Sequence, residues 1–332
     1  MILGRVTGRL FFQPAKRPMR VVMMGTGPFA VPTLRWLYDS RHDVVALFTR
    51  PVRPLHGKSQ AEANPMRDMA VARGTTVHDP ESINESHARA VLASYRPDLL
   101  VVCDYGQILA PETLEIARFG GINLHASLLP KYRGAAPINW AIYLGETETG
   151  VTIIHMTPRI DAGPAIAQAA TPIGANETAA ELEPRLAELG APLVLEAIDA
   201  IEAGTAQAIP QDPALATRAP RLKKELGQVD WSRSAAAIAN QVRALQPWPK
   251  TYTFWHRPTG EPLRLILDRV HVEPAAAATA GVVLEAAGDR LVIGTGQASL
   301  VVDSIQPAGK RVLSAAEFLR GYPVQSGERF GS

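Results

Sequence analysis

Asn123 and His125 stand two residues apart at the end of an apolar run and just ahead of a Gly/Pro-rich loop. Along a strand, residues i and i+2 point to the same face. An amide donor and an imidazole would therefore project together above the edge of a sheet. That pairing suits a reaction in which negative charge develops on a carbonyl oxygen while a proton changes hands.

Other chemistries compete for the same stretch. Ser127 with His125 invites a Ser-His-Asp hydrolase, but the chain has no Gly-x-Ser-x-Gly elbow. Ser127 also lies on the same short segment as His125, which makes direct contact difficult. The remaining histidines, His42, His56, His78, His87, His155, His256 and His271, show no metal-ligand spacing, so no metal site is expected. The single cysteine, Cys103, closes the run Leu99-Leu-Val-Val-Cys103 and reads as a buried strand residue. Gly25-Thr-Gly27-Pro-Phe-Ala30 follows the first strand, as a dinucleotide loop would. Ala30 replaces the third glycine, Pro28 removes an amide, and Phe48-Thr49-Arg50 offers no acid to a ribose. A tight strand-to-helix turn is the better account, with no NAD.

These residues need elements to hold them. Strands are expected at Val21–Met24, Val44–Thr49, Thr75–His78, Leu99–Cys103 and Ile122–His125, with helices at Ala30–Tyr38, Pro65–Arg73, Ser86–Tyr95 and 111–117. Continuous apolar strands alternating with helices indicate an α/β fold, a parallel sheet covered on both faces. In such sheets ligands bind at the carboxyl ends of strands, where Asn123 and His125 fall. A helix near 137–144 and strands at 151–156 and 164–170 follow. Leu182, Leu186, Leu189, Leu193 and Ile198 then recur at helical spacing over Thr178–Glu202, and Gly204 ends that helix.

Residues 205–220 contain Pro210, Pro213 and Pro220 and read as a linker. Beyond it, short strands at 251–255, 263–270, 281–285, 290–294 and 299–305 join helices at 234–244 and 314–319. Many short strands in so few residues predict a small β-barrel. The organisation is thus a basic extension over 1–19, a catalytic domain over 20–204, the linker, and a barrel domain over 221–332. The extension carries five basic residues and no acid over residues 1–20 and makes a poor signal peptide. It reads as mobile, or as a start codon assigned ahead of Met19.

With 46% apolar and 20% charged residues among 332, the composition is that of an ordinary soluble protein. No apolar run approaches the ~18 residues that would cross a bilayer, so a cytoplasmic location is expected. Residues 210–332 hold 15 basic against 11 acidic residues, while the net charge of the whole chain is +2. A basic C-terminal part beside an acidic core fits either a polyanion partner or ordinary scatter.

The motif Asn-x-His-x-Ser-Leu-Leu-Pro, followed by Tyr-Arg-Gly-Ala-Ala-Pro, resembles the signature of enzymes that use 10-formyltetrahydrofolate as formyl donor. Met156-Thr-Pro-Arg-Ile-Asp161-Ala-Gly163 is similar to the family's Met-x-x-x-x-Asp-x-Gly, and Gly-Thr-x-x-Phe-Ala is also typical of it. The resemblance implies a Rossmann-like parallel-sheet core in which Asn123 and His125 stabilise a tetrahedral oxyanion. Asp161, which taken alone could merely cap a turn, would set the protonation of His125. Ser127, Leu128, Leu129 and Pro130 would line the folate site, with no metal.

Arg221-Leu-Lys-Lys-Glu-Leu-Gly-Gln-Val-Asp-Trp231 resembles the family's Lys-x-x-x-Glu-x-Gly-x-Ile-Asp-Trp, and Arg243-Ala-Leu-Gln-Pro-Trp-Pro249 its Arg-Ala-x-x-Pro-Trp-Pro. With an oligonucleotide-binding (OB)-like barrel at the C-terminus, these point to the branch of the family that formylates the α-amine of methionyl initiator tRNA. No membrane and no obligate protein partner are implied. On packing grounds alone, Trp231 and Trp248 are core residues rather than stacking platforms. The alternatives are a sugar-nucleotide formyltransferase sharing the same three residues and a non-catalytic RNA-binding protein on a dead core. A formyltetrahydrofolate hydrolase would carry a regulatory domain ahead of the core, longer than residues 1–19. Two departures stand out. The loop Arg53-Pro-Leu-His-Gly57-Lys58 has glycine where the family carries arginine, with Arg53 or Lys58 as substitutes. Asp104 replaces a small residue before Tyr105-Gly106, either lining the folate pocket or facing solvent.

Overall fold

Runs of Val, Leu, Ile and Met bounded by polar loops form β1 (Arg20–Met24), β2 (Asp43–Phe48), β3 (Val77–His78), β4 (Leu99–Val102) and β5 (Gly121–His125). The structure, a computed structural model, describes residues 17–52, 63–257, 260–274 and 279–331. The expectations for residues 1–16 and for the Arg53–Lys58 loop lie outside them. The five strands pair in parallel. Two further strands, β7 (Glu148–His155) and β8 (Ala165–Pro172), extend the sheet antiparallel, giving the order β3-β2-β1-β4-β5-β7-β8. The 156–164 connection is too short for a crossover helix, so β8 must turn back on β7. Between β5 and β7 lies a two-residue strand, β6 (Arg133–Gly134).

Helices α1 (Val31–Tyr38) and α6 (Ala179–Ala203) bury one face of this sheet, and α3 (Ser86–Ser94) packs on the other. Short helices α2 (Pro65–Ala72), α4 (Pro111–Leu114) and α5 (Pro137–Tyr143) complete this half. Thr178 and Glu181 form a capping box at the start of α6, and Gly204 (φ 68°) closes its end in the left-handed region. Gly190 of α6 lies against β5, where an added Cβ would stand 2.6 Å from Leu124. Ile122, Leu124 and Ala126 therefore belong to the α6 side, and alternation turns Asn123 and His125 to the opposite face. Cys103 is fully buried in the sheet, and burial pushes its thiol pKa well up. Met19 is also buried, its carbonyl accepting from the Asp43 amide.

The connecting segment contributes β9 (Arg218–Ala219), which pairs in parallel with β6. Beyond it stand β10 (Thr251–His256), β11 (Leu263–Glu273), β12 (Val283–Ala287), β13 (Arg290–Gly294), β14 (Ser299–Pro307), β15 (Leu313–Ser314) and β16 (Arg329–Gly331). They pair in the order β12-β13-β14-β11-β10-β16. Bonds from Val283 N to Glu328 O (2.9 Å) and from Phe330 N to Gly281 O (2.7 Å) join the two ends, curling the sheet into a barrel. Helices α7 (Ala235–Ala244) and α8 (Ala315–Gly321) plug it. Trp231 is buried in that core and donates to Thr253 Oγ1, whereas Trp248 is half exposed. The halves are tied by Asn139 to the Ala244 carbonyl (2.7 Å) and by Arg243 to the Glu177 carbonyl (2.8 Å). Among the described residues, no helix is long and apolar enough to cross a membrane.

Candidate active site

Strand β5 ends with Asn123 opposite Ile154 and His125 opposite Thr152 of β7. The β4 pairing brings Val102 beside Asn123, so all of these reach the carboxyl edge of the sheet. His125 is buried, and its Nε2 lies 2.9 Å from the Tyr132 carbonyl oxygen. A carbonyl only accepts, so the Nε2 proton is spent there and Nδ1 faces the other way. It faces Asp161, whose Oδ2 stands 3.6 Å away. That is longer than a hydrogen bond, and a small side-chain shift closes it into one only when Nδ1 also carries a proton.

Asp161 lies on the β7–β8 connection, and the same Oδ2 accepts the Gly134 amide at 2.8 Å. Its backbone is left-handed, φ 49°, a conformation in which non-glycine residues are held only by their surroundings. The carbonyl of Asp161 accepts from Gln211 at 2.9 Å, and that of Gly163 accepts from the same amide at 2.7 Å. Gly163 admits no side chain, since an added Cβ would fall 1.7 Å from the His155 carbonyl oxygen. Asn123 is half-buried, and its side-chain amide makes no hydrogen bond among the described residues. The structure thus brings Asn123, His125 and Asp161 to one edge, with Asn123 holding an uncommitted donor.

Ser127 to Pro130 form the turn that follows His125. The Ser127 hydroxyl is fully buried and donates to the Lys131 carbonyl at 2.7 Å, and Leu129 is buried as well. Leu128 and Pro130 are half-buried. Thr152 holds the turn from below, donating to the Ser127 carbonyl (2.6 Å) and accepting from the Leu129 amide (3.1 Å). Gln168 adds a bond to the Leu129 carbonyl. Neither Thr152, Gln168 nor Gln211 has a motif of its own. Only the Pro-rich setting of Gln211 distinguishes it in the sequence, and there it reads as linker.

At the neighbouring strand ends, Gly27 caps the turn after β1, and the Asp104 carboxyl rests against it. Asp104 reaches the surface, but crowding around its carboxyl raises its pKa to about 6. Burial is the main cause, the nearby Glu183 adds to it, and Arg50 opposes both. Burial likewise raises Glu183. His155, half-buried at the end of β7, is lowered by burial. Among the described residues no group of three His, Cys, Asp or Glu side chains could hold a metal ion.

Comparison with known proteins gives this geometry a family context. The family model described as formyl transferase matches residues 19–198, and that described as formyl transferase, C-terminal domain, matches 221–323. The chain is 44% identical over 326 residues to the methionyl-tRNA formyltransferase of Rhodopirellula baltica, covering 94% of this chain and 96% of that one. Among solved structures it is similar to HypX from Aquifex aeolicus in complex with tetrahydrofolic acid, with a TM-score of 0.60, 20% identity, and coverage of 95% and 51%. It is also similar to an N-formyltransferase from Helicobacter canadensis in complex with folinic acid and dTDP-3-aminofucose, with a TM-score of 0.62, 18% identity, and coverage of 87% and 99%.

Proposed function

The chain belongs to the formyl transferase family, and from that premise we propose that it moves the formyl group of 10-formyltetrahydrofolate to the α-amine of methionyl initiator tRNA. The amine attacks the formyl carbon, and the carbonyl oxygen becomes a tetrahedral oxyanion. Asn123 donates to that oxygen. His125 takes on Nδ1 the proton the amine loses and stabilises the oxyanion as the imidazolium, and Asp161 orients the ring and helps relay that proton. When the intermediate collapses, the carbon–nitrogen bond to the folate breaks and the proton reaches the departing N10. The observation that carries this reading is the uncommitted Asn123 amide on the same strand face as His125, with the Asp161 carboxylate 3.6 Å from the imidazole.

The turn Ser127–Pro130 forms a wall of the folate pocket. Because Ser127 and Leu129 point inward, it does so through its backbone and through Leu128 and Pro130. Residues 20–204 carry the chemistry, 205–220 connect, and 221–332 dock the tRNA. Four cations in seven residues support the tRNA acceptor: Arg218, Arg221, Lys223 and Lys224 are exposed and enter no ion pair among the described residues. Arg218 lies in β9, whose pairing with β6 runs beside the candidate site, and the other three follow it closely along the chain. Such a row suits a phosphate backbone. The 44% identity to a methionyl-tRNA formyltransferase also favours tRNA over an amino-sugar nucleotide, whose enzymes are represented by far more distant structures. A cytoplasmic enzyme of translation initiation follows.

The test is formyl transfer from 10-formyltetrahydrofolate to charged initiator tRNA, with uncharged tRNA and an amino-sugar nucleotide as parallel acceptors. Formylation of the charged tRNA alone is the expected result. Formylation of the sugar alone would keep the mechanism and overturn the acceptor.

A further inference from the structure

The segment joining the two halves is bonded into the candidate site rather than merely passing it. Its Ile209 pairs with Ala165 through two 2.8 Å backbone bonds, at the base of the loop that carries Asp161. Its Thr217 accepts the Arg133 amide at 2.9 Å through its carbonyl and the Tyr132 amide at 2.8 Å through its hydroxyl. Tyr132 is the residue whose carbonyl holds His125. The Ala219 carbonyl accepts the Ala136 amide at 3.2 Å and lies so close to Gly134 that an added Cβ would come within 2.5 Å of it. Gly134, with φ 128°, is the residue whose amide holds Asp161.

Gln211 sits at the centre of these contacts. Its Oε1 accepts two bonds from the Arg133 guanidinium, at 3.0 and 2.7 Å. Its Nε2 donates to the carbonyls of Asp161 and Gly163. One amide therefore fastens the loop after His125 to the loop that carries Asp161. The fastening falls on a left-handed Asp161, a backbone that persists only where its surroundings over-determine it.

We propose that Gln211 is a positioning residue for the His125–Asp161 pair, clamping the two loops so that the Asp161 carboxylate faces the imidazole. The segment that carries it is the same one that leads to the tRNA-docking half, so acceptor docking and catalytic geometry share a mechanical element. The proposal rests on the reading of Asp161 given above. Gln211 itself touches no reacting atom.

Four variants test it: Q211A, Q211E, D161A and the Q211A/D161A double variant. Q211E keeps volume and the Arg133 bonds but turns the donor into a carboxylate facing two carbonyls. Both single Gln211 variants should lose about 10- to 100-fold in kcat, the size of a misplaced catalytic group, with KM for either substrate moving less than about threefold. In the D161A background Q211A should cost almost nothing more, because interactions within one unit are non-additive. Amide hydrogen exchange over residues 157–165 should quicken in Q211A and Q211E alike. A wild-type kcat in Q211E, or an undiminished Q211A loss in the D161A background, would overturn the proposal. Should D161A alone keep wild-type kcat, the premise about Asp161 falls and takes the proposal with it, an outcome the single variant reads directly.

Discussion

Two strand-end regions of one sheet are built on opposite plans. At the β5–β7 edge, His125, Asp161 and the turn after them are held by a web of short bonds to backbone groups. At the β1–β4 edge, the carboxyls of Asp104 and of Glu183 on α6 make no hydrogen bond or ion pair among the described residues, and both have raised pKa values. Preorganised groups need no rearrangement when charge develops in the transition state. Carboxyls with raised pKa values do the reverse, since their surroundings favour the neutral form. The contrast suits the first edge to the proposed chemistry and leaves the second as a place whose charge depends on pH.

The strongest way to break this contrast is to remove a donor from the locked edge. Asn123→Ala should lower kcat by about 10²–10³-fold, the usual consequence of losing an oxyanion donor. His125→Ala should be at least as severe and also lose stability, because the buried ring holds the Tyr132 carbonyl. Steady-state kinetics beside a melting curve checks both, and an active N123A would remove the edge from the mechanism. Next comes Gly163→Ala. The new methyl would meet the His155 carbonyl at 1.7 Å, so the Asp161 loop must shift. Overpacking of this kind costs about 1–3 kcal/mol, which denaturant unfolding would read, and a fall in kcat should accompany it.

The plan of the locked edge was only partly legible in the sequence. Asn123 and His125 declared themselves through the period-2 alternation of a strand and the Gly/Pro loop after it. The helix Ala179–Ala203 was legible from its leucine spacing and terminal Gly204. Asp161 was legible only through the resemblance of Met156–Gly163 to the family motif, because a lone Asp-x-Gly reads equally well as a turn. Gln211 was invisible, since its partners are backbone carbonyls fifty residues away, and a carbonyl has no sequence signature. The same blindness hid the β6–β9 pairing, two residues on each side, and the closure of the barrel through Arg329–Gly331. Local periodicity reports which face an element buries, but not which distant backbone groups a side chain will satisfy.

A smaller effect sharpens the contrast from outside the core. Neutralising Arg221, Lys223 and Lys224 together should lower kcat/KM for the charged tRNA by about 10- to 100-fold at moderate salt, with kcat little changed. The slope of log affinity against log salt should flatten by about one unit for each lost phosphate contact. An unchanged slope would mean that these cations only solvate the connecting segment.

The smallest effect concerns the second edge. A carboxyl whose folded pKa is raised prefers to stay protonated in the native state, so folding is assisted only while the group is neutral. For Asp104 that contribution is present below about pH 4, where native and unfolded chains are both protonated. It fades as pH rises toward about 6, the value in the folded protein. Between those limits the unfolded chain gives up its proton first, so stability falls with rising pH. Asp104→Asn keeps the shape and removes the titration. It should match the parent near pH 4 and exceed it above pH 7 by about 1 kcal/mol, a figure reduced from the full shift because Asp104 is open to water. Denaturant unfolding of both proteins at pH 4, 6 and 7.5 reads the difference. A gap of equal size at all three would place the effect in packing against Gly27 rather than in charge. A parent that gains stability over that range relative to D104N would mean that Arg50, not burial, governs the carboxyl.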